Sequence, residues 1–160
     1  MTPGADVEQY LQALGIPFER HEHPPVATVA EAEAYWAGIE ALHAKNLFLR
    51  NHKGTRHFLV VLEASRRADL EALAAAFGER KLGFASPDRL REYLGLAPGS
   101  VSPFGLINDR EHRVEVAIDA AIRDAALVAF HPNVNTVTLV VAGDDFRQFL
   151  AAVGHEVRWV

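Results

Sequence analysis

The chain has 160 residues, no cysteine, 49% hydrophobic and 23% charged residues, proportions that fit one compact domain over residues 1–160 and exclude disordered, collagen-like and disulfide-stapled classes. Apolar stretches such as residues 136–143 fall far short of the ~18–20 residues of a membrane-spanning helix, and residues 1–6 lack a basic segment followed by an apolar one, so a cytoplasmic location with no membrane partner is expected. A net charge of -5 argues against bulk attraction to DNA or RNA, so any nucleic acid must be gripped by a local basic face.

In chain order, Val7, Tyr10, Leu11 and Leu14 share one face of an opening helix that Gly15 and Pro17 stop. Residues 18–23 are extended. Thr28 and Glu31 have capping-box spacing and start a second helix. Residues 45–50 and 57–62 are strand-length apolar runs joined by a polar, glycine-containing turn, which predicts a hairpin. Asp69 caps a helix that Gly78 ends, residues 82–85 form a short strand, and Ser86-Pro87 opens a helix that Gly95 stops. Strands are expected at residues 114–118, 126–130 and 136–142, followed by a helix capped by Asp144 and a last strand over residues 155–160. Helices interrupt the strands without a repeating βαβ rhythm. The expected fold is therefore α/β of the α+β type, with one mixed, mostly antiparallel curved sheet flanked by helices.

Three loci carry possible chemistry. Thirteen of the sixteen cationic residues are arginine, so the three lysines, Lys45, Lys53 and Lys81, stand out. Lys45-Asn46 begins an apolar strand and can point an ammonium into a cleft, the alternative being a solvated strand end. The loop Gly99-Ser100-Val101-Ser102-Pro103 combines residues that fix φ with one that allows close backbone approach, which suits N–H groups aimed at a carbonyl or phosphate; an ordinary helix-to-strand connection is the competing reading. Ser100 and Ser102 do not sit in a G-x-S-x-G elbow. His131, in the turn Phe130-His131-Pro132-Asn133-Val134-Asn135-Thr136, can orient a substrate or move a proton. His21 and His23 face one way on a strand but find no third ligand at metal-site spacing, so no metal and no cofactor are expected. The remaining histidines are read as surface or structural.

Taken together, Lys45-Asn46-Leu47-Phe48-Leu49-Arg50, the G-x-x-x-P loop at residues 99–103, and Phe130-His131-Pro132 with Asn135-Thr136 resemble the YbaK-type aminoacyl-tRNA deacylases, relatives of the editing domain of bacterial prolyl-tRNA synthetase. The resemblance runs from about Val7 to Val160 and is nearest the ProXp-ala or PrdX branch, which removes alanine mischarged onto proline tRNA. It implies a free-standing hydrolase that cleaves the aminoacyl ester by metal-free water attack. Lys45 would anchor the terminal nucleotide, and backbone N–H groups from Gly99 to Pro103 would hold the carbonyl. Asn46, His131 and Asn135 would complete the pocket, with Ser100, Val101, Ser102 and Pro103 in contact with substrate. Since one methylene is worth only ~1–3 kcal/mol in a pocket, a second site admitting only small side chains is a physically sensible editing device. Arg50, Lys53, Arg56, Arg80 and Lys81 are candidate contacts to the tRNA acceptor stem, and the same resemblance implies a transient association with prolyl-tRNA synthetase. A non-catalytic module that binds a tRNA acceptor end or an amino acid is the alternative.

Overall fold

Local signals form most of the elements seen in the computed structural model, which describes residues 4–25 and 28–160; the reading of the first few residues lies partly outside them. Val7 and Leu11, one turn apart, are buried on helix α1 (Ala5–Ala13). Strand β1 (Glu19–Glu22) follows. Helix α2 (Val29–Trp36) starts where the Thr28 hydroxyl accepts the Glu31 N–H at 3.2 Å. Strands β2 (Leu42–Asn51) and β3 (His57–Glu63) form the expected antiparallel hairpin, with Lys45 opposite Leu62 and Arg50 opposite His57. Asn51 organises its turn: the side-chain carbonyl accepts the Thr55 and Arg56 N–H groups at 2.9 and 3.1 Å.

Asp69 caps α3 (Leu70–Ala76), β4 (Leu82–Phe84) is three residues long, and Ser86 caps α4 (Pro87–Leu94). A 3-10 helix (Pro103–Asn108) then precedes β5 (Val114–Ile118), the short α5 (Ala120–Asp124), β6 (Leu127–Phe130), β7 (Val137–Ala142), α6 (Gly143–Val153) and β8 (Val157–Trp159). Asp144 is not the cap of α6. Ala142 is, without a side-chain bond, because the chain passes straight from β7 into the helix at Gly143; Asp144 lies in the first turn, paired with Arg147. A Cβ on Gly143 would sit 2.0 Å from the Ala125 carbonyl oxygen, a backbone atom that cannot swing away. Gly143→Ala is therefore expected to destabilise the fold by about 1–3 kcal/mol or more, read as a lower urea midpoint at unchanged slope.

The sheet runs β1-β7-β6-β2-β3-β5-β8, with β4 paired to β2 off this path. The β1–β7, β7–β6, β2–β3 and β2–β4 pairs are antiparallel, while β2–β6, β3–β5 and β5–β8 are parallel. Both faces are covered. Leu59, Val61, Phe104, Phe130, Phe146 and Phe149 belong to the larger core, beneath α1, α4, the 3-10 helix and α6. Phe58, Val60 and Leu62 meet Leu73 and Phe77 of the α3 segment on the other face, which explains the unbroken apolar run of β3.

The feature that positions the site is a splay along β2. Its first residues, Leu42 and His43, pair with β6; its last, Leu49 to Asn51, pair with β4. Between them β2 keeps β3 on one side, while its other edge, around Ala44 to Leu47, has no strand partner among the described residues. Carrying the parallel register two residues past His43–Ala129 sets Lys45 level with His131, at the point where the strands have parted.

Candidate active site

The open edge of β2 borders a cleft of about 240 Å³ lined by Asn46, Leu47, Phe84, Pro98, Gly99 and Val101, among others. Asn46 and the glycine loop, far apart in sequence, thus meet. The side-chain carbonyl oxygen of Asn46 is buried and has no hydrogen-bond partner. Such an orphaned acceptor costs about 1–3 kcal/mol, which a ligand donor would relieve.

The loop is shaped by its residues. Gly99 has φ 85°, the left-handed region in which a side chain is strained. The Ser100 N–H bonds the Ala97 carbonyl at 3.0 Å, closing the turn. Among the described residues the N–H groups of Gly99 and Val101, which line the cleft, have no acceptor, so they can serve an oxyanion or a carbonyl. Ser102 is fully buried and its hydroxyl accepts the Phe104 N–H at 3.1 Å, capping the 3-10 helix that buried Pro103 opens. Ser100 is buried as well. The Ser102 hydroxyl is engaged in that cap, and the free donors are the backbone N–H groups of Gly99 and Val101.

Lys45 is half-buried on β2 and forms no ion pair or hydrogen bond with the described residues. On the same face, two residues earlier, His43 donates from Nε2 to the Ile39 carbonyl at 3.1 Å and stacks on Trp36 at 4.5 Å. His131 donates from Nδ1 to the Val137 carbonyl at 2.9 Å, which leaves the Nε2 lone pair for another donor. Its ring lies 5.6 Å from that of His23, which bonds Thr138 Oγ1 at 2.8 Å and stacks on Tyr35. Among the described residues no three His, Asp or Glu side chains are arranged to hold a metal ion. Asn135 stands in the same turn as His131, beside Asn133, whose φ of 63° and unpartnered, buried side-chain amide mark a constrained loop.

Burial pushes the pKa of His131 down, and its histidine neighbours push the same way against the Val137 bond. Burial also lowers His43, and burial followed by the Arg89 guanidinium lowers His57. The unfolded chain takes up protons at these groups below about pH 6.5, where the folded chain still excludes them. Their contribution to stability is complete above about pH 6.5 and is lost as pH falls from there toward the folded values. Thermal melts are expected to show a lower Tm at pH 5.5 than at pH 7.5, with a smaller difference in His131→Asn.

The basic candidates separate. Lys53, Arg80 and Lys81 are exposed and unpaired among the described residues. Arg50 donates to the Asn51 and His52 carbonyls. Arg56 is fully engaged: it grips Glu115 with bonds of 2.8 and 2.7 Å, reaches the Phe77 carbonyl at 2.9 Å and pairs with Glu79, so it ties the hairpin to β5 and the end of α3. A cavity of about 600 Å³ between Phe77, His112, Glu115, His155 and Arg158 contains none of the candidate site residues named from the sequence. Sequence reasoning missed that His23 and His43 join His131. The spacing His43-x-Lys45 on a strand was the available signal, whereas the approach of His23 depends on β1 pairing with β7.

The open edge of β2 thus carries Lys45 and borders a cleft whose glycine loop has backbone N–H groups without acceptors among the described residues. The model of the aminoacyl-tRNA editing domain matches residues 23–149, and the chain belongs to that family, a class of aminoacyl-tRNA hydrolases. It is 41% identical over 145 residues to the prolyl-tRNA editing protein ProX of Acetoanaerobium sticklandii, covering 91% of this chain and 88% of that protein. Over 156 residues it is 33% identical to mouse prolyl-tRNA synthetase associated domain-containing protein 1, covering 95% and 92% of the two chains. In fold it is similar to a crystal structure described as a candidate trans-editing enzyme for prolyl tRNA synthetase, with TM-score 0.70, 23% identity, and 98% and 96% of the two chains covered.

Proposed function

We propose that the chain acts in trans to hydrolyse the ester of mischarged proline tRNA, with alanine as the preferred aminoacyl group. The observation that carries this reading is one cleft at the open edge of β2 lined by Asn46, whose side-chain carbonyl is orphaned, and by Gly99 and Val101, whose N–H groups have no acceptor among the described residues. The 41% identical relative named for prolyl-tRNA editing supports the tRNA. The small cleft and the resemblance to the alanine-removing branch support the amino acid.

In this mechanism the loop amides hold the ester carbonyl oxygen and stabilise the oxyanion as water adds to the carbonyl carbon. The ester C–O bond then breaks, the ribose oxygen receives the proton the water loses, with the neighbouring 2′-hydroxyl as relay, and amino acid and tRNA leave. An aminoacyl ester is already activated, so positioning and oxyanion stabilisation suffice without a covalent nucleophile. Lys45 fixes the terminal nucleotide by its phosphate or ribose oxygens, Asn46 accepts a donor from the substrate, and His131 and Asn135 wall the pocket. Lys53, Arg80 and Lys81 meet the RNA backbone, with Arg50 a further contact if it releases its carbonyls; Arg56 keeps its structural role. Transient association with prolyl-tRNA synthetase and a cytoplasmic location belong to the same reading.

The test is deacylation of proline tRNA charged with alanine, serine, cysteine or proline. Alanine is expected to be released fastest and proline largely spared. Binding of RNA without hydrolysis of any of the four would replace this reading with that of an acceptor-end binding module.

A further inference from the structure

Phe84 is 64% exposed, the most exposed large apolar side chain among the described residues. Leu82, two residues earlier on β4, is buried beneath α3, but the helix does not reach Phe84. Phe84 stands opposite Leu49 in the β2–β4 pair, so the two share a face of the sheet. The two-residue period of a strand places Lys45 and Leu47 on that same face. Phe84 is thus about 13 Å along β2 from Lys45 at ~3.3 Å per residue, and it also lines the cleft that holds Asn46 and Gly99. Arg80 and Lys81, exposed and unpaired among the described residues, lead into the same short strand.

An exposed aromatic ring beside a cleft, with unpaired cations on the chain leading to it, is the composition of a stacking platform for single-stranded nucleic acid. We propose that Phe84 stacks on an unpaired base of the tRNA 3′ end upstream of the terminal nucleotide, while Arg80 and Lys81 meet the adjoining phosphates. The inference rests on the proposed function and adds a positioning residue to it. Lys45 would hold the end of the strand and Phe84 would set the direction from which it enters.

The experiment uses the full chain and an uncharged RNA hairpin with an unpaired 3′ end, in which 2-aminopurine replaces the unpaired bases one at a time. The wild-type protein is expected to quench one upstream position. Phe84→Ala should lose that quenching and bind roughly tenfold to a hundredfold more weakly, Phe84→Trp should keep both, and Phe84→Leu should lose the quenching although it remains apolar. Since the ring is exposed, all variants should melt with the wild type. With charged RNA, Phe84→Ala should raise KM and leave kcat essentially unchanged. Wild-type affinity and quenching in Phe84→Ala would overturn the platform while leaving the deacylase reading intact. Failure of the wild-type protein to hydrolyse any charged RNA, with base quenching present, would overturn the deacylase reading and leave the platform standing.

Discussion

Lys45→Ala is expected to lower single-turnover deacylation by roughly 10²-fold, the range by which misplacing a substrate by about 1 Å slows its reaction, without loss of fold. Lys45 has no ion pair or hydrogen bond among the described residues, so its removal leaves no partner uncompensated. Its neighbours along β2 keep their ladder with β3 whatever the side chain, because that ladder is backbone. Lys45→Arg is also expected to be poor. A planar, five-donor guanidinium does not reproduce the point charge and rotatable donors of a compact ammonium. Circular dichroism and urea unfolding check the fold, and saturating enzyme separates weak binding from slow chemistry. Near wild-type turnover at saturation would remove Lys45 from the mechanism.

Gly99→Val carries the second large effect. At φ 85° a β-branched side chain is strongly disfavoured, so the loop must relax toward negative φ and carry its amides with it. Loss of aligned oxyanion donors should again cost roughly 10²–10³-fold in kcat, with a modest fall in Tm from the strained turn. Ser102→Ala is the contrasting variant. It removes the cap on the 3-10 helix, which costs about 1 kcal/mol of stability, yet leaves the backbone donors in place, so measurable activity should remain. A Gly99→Val protein with unaltered kinetics would reduce the loop to a connector.

Local features of the fold were legible in the sequence because their causes are local. Thr28, Asp69 and Ser86 each accept the N–H three residues on, as their spacing before an apolar run predicts. The hairpin turn follows from Asn51 and Gly54. The 3-10 helix inside the glycine loop was hidden by its glycines and prolines, although Ser102-Pro103 is itself a cap followed by a first-turn proline. Helix α5, five residues long, is too short to show a period. Asp144 misled because an acidic residue in a first turn looks like a cap from sequence alone. The parallel pairing of β3 with β5, of β5 with β8 and of β2 with β6 joins distant segments and left no local trace.

The same division holds at the site. Lys45, Gly99 and His131 were singled out by residue type and by resemblance to known motifs. The open edge of β2 beside Asn46 and Gly99 was not legible, because it exists only where β2 passes from β6 to β4, strands far apart in the chain. Thr138 and His23 were likewise invisible as partners of the His131 region until β1 paired with β7. Exposure decided the fate of the cations: Arg56 and Lys53 look alike on one turn, but only Arg56 finds two carboxylates within reach.

The most direct test of the central claim, that water attack is supported by Lys45 and the Gly99 loop backbone without a serine nucleophile, is single-turnover hydrolysis of alanyl-tRNA(Pro) by the wild type, Lys45→Ala and Ser100→Ala, with acid quenching to trap any acylated protein. The account predicts rapid alanine release by the wild type, near-complete loss in Lys45→Ala, substantial activity in Ser100→Ala, and no alanine bound covalently to protein at any time. A Ser100→Ala protein as inactive as Lys45→Ala, or a trapped alanyl-enzyme, would contradict it.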